Sequence, residues 1–241
     1  MILRFGKKDN EIVFWTLIKG LPKVSPIKTS NFFIPEWFKK MPLYPSGHNL
    51  IPNVNKGSVK GCPGIMDFFK LGFVVPLWCD VYMEITDDTA KINTSDSRYI
   101  FSGHPNIQMK NYLPSFAKES TKIIIKANCP WHVKTPKGIS LLQLPMLYHY
   151  NEHFTTAPGI VDSDRYYTLN QQLMMHKVEN VTLKKGTPLC MYIPIRRESF
   201  KHVVREATEF DMKMHEENIT RNHATFTGGY KQRQRNENYE T

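Results

Sequence analysis

Short apolar segments at close spacing are the feature that most constrains how this chain can fold. In its second half they are separated by Pro, Gly, Asn and Asp, the residue types that end strands and form turns. The segments are TKIIIKA, WHVKT, ISLLQLP, FTTAPGIV, YTLNQQLMM, VTLKK and PLCMYIPI. This rhythm predicts a mainly β fold, either a sandwich or a barrel.

A strand and a proline-rich arm precede these segments. Residues 1–20 contain EIVFWTLI, whose aromatic and β-branched residues predict an N-terminal strand. Residues 21–63 contain seven prolines, which exclude a long helix or a central strand. We expect this arm to wrap over the core, pinned by Trp37 and Phe38 in a short helix at PEWFKKM.

A β-rich core domain is predicted over residues 64–197. It begins with a short helix near 62–71, and Gly72 stands where a C-terminal cap belongs. The segment VPLWCDVYMEI then alternates like one strand, which would point Trp78 away from the side that carries Leu77.

The apolar period becomes helical after the last predicted strand. A stripe that includes Phe200, Val204 and Phe210 predicts an amphipathic C-terminal helix near 199–221, capped by Ser199. Such a helix docks either on the sheet or on a partner subunit, and the sequence leaves both open. Residues 222–241 form a polar basic tail. The cationic side chains of this tail are Lys231, Arg233 and Arg235. Together with the apolar stripe, they are the predicted interaction residues.

Charge and cysteine content limit the context in which the protein acts. Its 32 Lys and Arg exceed its 22 Asp and Glu by ten, which favours acidic partners or polyanions, including nucleic acid. The basic residues are spread along the chain, and no nucleic-acid-binding motif is present. No apolar run is long enough to span a membrane, and no signal peptide is recognisable. The four cysteines, without a CxxC pair, are interpreted as free thiols.

Two clusters are candidates for chemistry. In GIVDSDRYY, the residues Asp162, Asp164 and Arg165 are either catalytic groups or turn residues between two strands, and turn chemistry is the better explanation. In HYNEH, His149 and His153 stand four apart like metal ligands, but a tyrosine replaces the glutamate of an HExxH site. No nucleophile elbow or phosphate loop is present. We therefore expect no cofactor and favour a non-enzymatic role.

Three segments resemble the core of the dUTPase and dCTP-deaminase β-clip family. They are PKGISLLQLPMLY, PGIVDSDRYY and VTLKKGTPLCMYIPI, in that order. The resemblance implies a β-clip-like barrel, nucleotide binding or hydrolysis, and a role for Asp162 towards the sugar and the attacking water. The chain departs from the pattern, because Arg165 stands where the family has a tyrosine and Thr187 where it has an acid.

Four longer blocks resemble an uncharacterised family found in tailed phages, cyanophages especially, and in some bacteria. They are PEWFKKMPL, VKGCPGIMDFFKLGFVVPLWCDVYM, NCPWHVKTPKGISLLQLPM with PGIVDSDRYY, and LKKGTPLCMYIPIRRESF. The resemblance implies a location in the host cytoplasm or the virion, and no functional residues come with it. The leading hypothesis is a phage protein that acts through protein–protein contacts, as a virion component or a host-interaction protein. Nucleotide binding and polyanion binding are the alternatives.

Overall fold

The structure is a computed structural model that describes residues 11–44 and 58–224. Its strands are β1 (Val13–Thr16), β2 (Lys28–Thr29), β3 (Phe73–Pro76), β4 (Val81–Ile85), β5 (Ala90–Thr94), β6 (Phe101–His104), β7 (Ile123–Lys134), β8 (Ile139–Pro145), β9 (Phe154–Thr156), β10 (Gly159–Val161), β11 (Thr168–Met175), β12 (Asn180–Leu183) and β13 (Pro188–Arg196). Its α-helices are α1 (Leu21–Val24), α2 (Glu36–Lys40), α3 (Pro63–Phe68), α4 (Ser115–Ser120) and α5 (Glu209–Ala224).

The strands form three antiparallel sheets. Sheet 1 has the order β1-β7-β11-β9, and β6 pairs with the N-terminal part of the long strand β7. Sheet 2 has the order β10-β8-β13-β3-β2, and sheet 3 has the order β12-β4-β5. Within the described residues none of these sheets closes on itself. The mainly β prediction is confirmed, and of its two forms the sandwich is the one that fits.

All three sheets contribute side chains to one hydrophobic core. In β11 the buried side chains of Leu169, Gln171, Leu173 and Met175 alternate with half-exposed ones, as a pleated strand requires when one face is covered. The same core receives Ile125 from β7, and sheets 2 and 3 complete it. A sandwich built in this way buries one face of each sheet and leaves the other for contacts with solvent or ligands.

The proline-rich arm lies against this body where it is described. Phe38 of α2 is buried, and its ring meets that of Phe69 edge-on at 4.7 Å between centroids. The indole nitrogen of Trp37 donates to the carbonyl oxygen of Tyr148 at 2.8 Å. Ser30 donates its hydroxyl to the carbonyl oxygen of Phe69 at 2.8 Å.

The short helix predicted near residues 62–71 is present as α3. A few residues after it, Gly72 has a φ of +67°, a conformation that glycine adopts without strain. A Cβ at this position would overlap the carbonyl oxygen of Tyr192 in β13. Glycine is therefore favoured at position 72 for two reasons: the positive φ of the turn and the close approach of the backbone of β13.

The segment predicted as one strand from Val75 to Ile85 is divided. Strand β3 ends at Pro76 and belongs to sheet 2, whereas β4 begins at Val81 and belongs to sheet 3. The residues between them carry the chain from one sheet to the other. As a result Trp78, predicted to point away from the side that carries Leu77, is buried in the same core as Leu77.

Two compact units divide the chain between Arg197 and Glu198. In the second unit the predicted start of the helix near residue 199 is wrong, because α5 begins at Glu209. The amide of Asp211 donates to the hydroxyl of Thr208, while the amide of Thr208 donates to the carboxylate of Asp211 at 2.8 Å. This reciprocal capping box fixes the first turn at residue 208. None of the helices in the described part of the chain is long and apolar enough to cross a membrane.

Candidate functional site

A cleft of about 390 Å³ lies beside the turn between β10 and β11. We call it the Asp162 cleft, because Asp162 is the only acidic residue among the described residues that line it. Its polar and aromatic lining includes Asp162, Tyr166, Thr168, Asn170 and Gln172. The volume lies within the range of about 300–1,000 Å³ found for small-molecule sites.

Strand pairing builds this cleft. Strand β10 pairs with β8, with Gly159 opposite Gln143. On β11, Thr168, Asn170 and Gln172 alternate with buried residues and so share the face turned away from the core. The register of β11 against β7 shifts between Thr168 and Asn170, an irregularity of the kind that often lies next to binding sites.

The predicted candidates Asp162 and Asp164 lie together, and the cation between them is Arg197. Arg197 uses both terminal nitrogens for Asp164, one of them at 2.7 Å, and approaches Asp162 Oδ1 at 3.2 Å. Ser140 donates its hydroxyl to Asp162 Oδ1 at 2.7 Å, and the amide of Gly138 donates to Asp164 Oδ2 at 2.9 Å. The two carboxylates thus connect the β10–β11 turn to the β7–β8 loop and to the end of β13.

These contacts stabilise the ionised form of both carboxyl groups. Hydrogen bonds from Arg197 and from the Gly138 amide hold the pKa of Asp164 far below its ordinary value. The Ser140 hydroxyl, followed by Arg197, lowers the pKa of Asp162. A general base that works near neutral pH needs a pKa near that pH. The arrangement therefore favours a structural role for the pair over proton transfer.

The third predicted residue of this cluster, Arg165, is exposed and makes no ion pair with a described residue. Its charge contributes to the lowered pKa of both aspartates. The backbone carbonyl of Asp162 accepts the amides of Arg165 and Tyr166 at 2.9 and 2.8 Å, which closes the turn. Arg197 was missed, because nothing in the sequence marks which basic residue returns to this turn from another strand.

The predicted metal candidates His149 and His153 have separate environments. Burial lowers the pKa of His149, and a hydrogen bond that its ring donates to the backbone carbonyl of Phe33 opposes this shift. The ring of His153 contacts Glu179 at 2.9 Å, between Nδ1 and Oε1. In residues 11–44 and 58–224, no three His, Cys, Asp or Glu side chains come together as metal ligands would.

A second cleft, of about 420 Å³, is lined by the loop after β8. Tyr148 and Tyr150 in this loop have φ values of +66° and +50°, which cost energy for residues other than glycine. The ring of Trp37 lies 5.8 Å from that of Tyr150, between centroids. The cleft is lined mainly by apolar and aromatic residues, and it brings together neither of the predicted catalytic aspartates.

Three buried polar side chains form a chain of hydrogen bonds inside the sandwich. The Tyr192 hydroxyl donates to Gln143 Oε1 at 2.6 Å and accepts from Gln171 Nε2 at 3.0 Å. Gln143 Nε2 in turn donates to the carbonyl oxygen of Ala157 at 2.7 Å, beside the Asp162 cleft. Such a network fixes the relative position of β8, β11 and β13, and β8 and β11 are two of the strands that line the cleft.

The predicted interaction residues at the C-terminal end are exposed where they are described. The exposed fractions are 84% for Phe200, 91% for Val204 and 69% for Phe210. Phe200 and Val204 precede α5, and only Phe210 belongs to it. The predicted basic residues Lys231, Arg233 and Arg235 lie outside the described residues.

No protein-family model matches this chain, and no curated protein sequence is significantly similar to it. The resemblances to a phage family and to the β-clip core therefore stay predictions. What is known of the site comes from its own geometry.

Proposed function

We propose that this protein is a non-enzymatic interaction protein that binds further copies of itself through residues 198–219. The observation that carries the proposal is the exposure of large apolar side chains in this segment. Phe200, Val203 and Val204 are each more than four-fifths exposed, and Phe210 and Met212 are more than half exposed. Large apolar side chains that are exposed together in one segment are typical of sites that bind another protein.

The backbone before α5 supports the same conclusion. From Ser199 to Ala207 no amide donates a hydrogen bond to another described backbone group, and no proline is present. Phe and Val favour extended structure. An extended segment with unpaired amides adds readily to the open edge of a sheet, and all three sheets of a second copy have edge strands.

The distribution of charge favours a second copy as the partner. Residues 1–197 carry 25 Lys and Arg against 14 Asp and Glu, a formal charge of +11. Residues 198–224 carry four Lys and Arg against six Asp and Glu, a formal charge of −2. An acidic apolar segment is thus attracted to the basic body of another molecule, which raises the rate of their encounter.

The resemblance to a phage family sets the context of this proposal. A self-associating protein is suited to be a virion component, and an accessory protein that binds host proteins is the other form of the same hypothesis. Nucleotide binding receives less support, because no lysine or arginine is among the described residues that line the Asp162 cleft. Polyanion binding through the net charge stays a prediction, which binding at increasing salt concentration tests.

The experiment measures the mass of the full chain in solution over a range of concentrations. The variant F200S/V204S/F210S removes the apolar side chains of the segment. A matched control, L17S/Y112S/F116S, removes three side chains of similar exposure elsewhere. We expect the wild type and the control to form dimers or larger oligomers at tens of micromolar, and the first variant to remain monomeric.

Two outcomes contradict the proposal. A wild-type chain that is monomeric up to about 100 µM does not self-associate at a useful affinity. An oligomer that survives in the F200S/V204S/F210S variant but is lost in the control uses a different surface. Absence of the protein from purified particles, measured by mass spectrometry, excludes the virion form of the hypothesis.

A further inference from the structure

The Asp162 cleft contains a group of neutral polar side chains that have no protein partner. The side chains of Thr168, Asn170 and Gln172 are half-buried, and none of them forms a hydrogen bond with a described residue. The Tyr166 hydroxyl is likewise unpaired within the described residues. Polar groups in such positions are satisfied by water or by a ligand that replaces the water.

We propose that the Asp162 cleft binds a neutral, polyhydroxylated ligand of the saccharide class. Each hydroxyl group of a saccharide both donates and accepts hydrogen bonds, and an amide side chain offers both functions. Asn170 and Gln172 lie two residues apart on one face of β11, so their amides reach neighbouring hydroxyl groups. Asp162 adds a charged acceptor, because its contacts with Ser140 and Arg197 both use Oδ1 and leave Oδ2 for a ligand.

The charge of the cleft selects against phosphorylated ligands. Its described lining contains no lysine, arginine or histidine. The guanidinium of Arg197, which contacts Asp162, is engaged by the carboxylates of both Asp162 and Asp164. Arg165, in the same turn, is not among the lining residues. Asp162 is ionised at neutral pH, since its pKa is lowered, and it repels anions. A neutral sugar therefore avoids the electrostatic repulsion that Asp162 exerts on a sugar phosphate.

Two exposed apolar surfaces complete the site. Tyr166 is 55% exposed and Ile160 is 63% exposed, and both line the cleft. The C–H faces of a pyranose ring pack against an aromatic ring while its hydroxyl groups point to polar neighbours. This combination of one aromatic ring, two amides and a carboxylate recognises the two kinds of surface that a saccharide presents.

The proposal goes beyond self-association and is independent of it. The cleft is formed by residues 143–172, whereas the interaction segment comprises residues 198–219. Ligand binding is therefore measured with the F200S/V204S/F210S variant as well as with the wild type. Failure of self-association in that variant leaves saccharide binding unchanged, so the two proposals fail separately.

The experiment titrates the full chain with maltose, cellobiose, lactose and N,N′-diacetylchitobiose up to about 20 mM, a concentration that detects binding with a Kd in the millimolar range or tighter. Binding is followed by backbone amide shifts. We expect at least one saccharide to shift amides in residues 159–172. The variant N170A/Q172A should bind it about ten-fold more weakly or not at all, since two hydrogen-bonding groups are lost. Asn93→Ala, an exposed amide on β5 outside the cleft, is the matched control and should bind like the wild type.

Three outcomes overturn the inference. The first is that no saccharide in the panel shifts an amide in residues 159–172, which is read from the wild type alone and does not depend on how the variants fold. The second is binding that N170A/Q172A leaves unchanged. The third comes from titrating the wild type with glucose and with glucose 6-phosphate. Tighter binding of the phosphate shows that the cleft prefers an anion.

Discussion

Arg197 and Asp164 meet in a two-point ion pair, in which both terminal guanidinium nitrogens donate to the two carboxylate oxygens. The side chain of Asp164 is only 5% exposed and that of Arg197 is 27% exposed. Planar pairs of this kind combine charge with fixed geometry. The pair joins the last residue of the first compact unit to the turn that follows β10.

We predict that this pair makes stability depend on acidic pH. The pKa of Asp164 is lowered in the folded chain, whereas an unfolded aspartate has a pKa near 3.9. Below about pH 5 the unfolded state therefore binds more protons, and the stabilisation is lost as pH falls towards the folded pKa. Asp164→Asn should melt several degrees lower at pH 7 and show a flatter fall in melting temperature between about pH 5 and pH 2.

Arg197→Met provides the matched test of that explanation. It removes the guanidinium and leaves the carboxyl group, so the pKa of Asp164 loses its main source of depression. The melting temperature of this variant should likewise vary less with acid than that of the wild type. If the Arg197→Met and wild-type curves run parallel from pH 7 to pH 2, then the pair is not the origin of the pH dependence.

The hydroxyl of Tyr192 is predicted to stabilise the sandwich by satisfying two buried amides. Tyr192→Phe leaves Gln143 Oε1 and Gln171 Nε2 without their partner inside the core. Leaving buried polar groups unpaired costs about 1–3 kcal/mol, and the free energy of unfolding in urea should fall by that amount. Tyr82→Phe, on a partly exposed tyrosine of β4, should change it by less than about 0.5 kcal/mol. Equal effects of the two substitutions would contradict a role for the network.

Gly72 is predicted to tolerate no side chain. Its φ of +67° is unfavourable for alanine by about 1–2 kcal/mol, and a Cβ would also overlap the carbonyl oxygen of Tyr192. We expect Gly72→Ala to lower the free energy of unfolding by about 3 kcal/mol or more. Gly186→Ala is the control, because Gly186 has a φ of +89° but open space around the added Cβ. It should show the conformational cost alone, and a loss as large as that of Gly72→Ala would exclude the overlap as the cause.

Sequence patterns predicted those parts of the fold that depend on residues close together in the chain. The alternation in YTLNQQLMM reports one covered face, and β11 has that face. PLCMYIPI also forms a strand, but the first half of β13 is covered on both faces, because Leu189 to Tyr192 are all buried. The spacing of Ile65, Phe68 and Phe69 suits one face of a short helix and Gly72 suits a left-handed residue, so the short helix and its end were recognisable. These features depend on neighbours within a few positions, which a sequence shows directly.

The features that escaped prediction depend on distant residues or on competing local signals. The alternation from Leu77 to Ile85 continues through the point where the chain changes sheets, so it does not reveal the division. Ser199 and Thr208 both precede apolar residues at helical spacing, and the capping box with Asp211 decides for Thr208. The partner of Asp164 stands 33 positions away at Arg197, which no local pattern indicates.

Thiol reactivity is predicted to separate one cysteine from the other three. Cys62 is exposed, whereas Cys79, Cys129 and Cys190 are buried. Burial raises the pKa of Cys79 to about 11 and that of Cys129 to about 12, so almost none of either is thiolate at pH 8. With a thiol-specific chromophoric disulfide we expect one thiol to react fast and three to react at least about 100-fold more slowly, until urea unfolds the chain. Cys62→Ser should abolish the fast phase, and a fast phase that persists in this variant would show that the core opens in the native state.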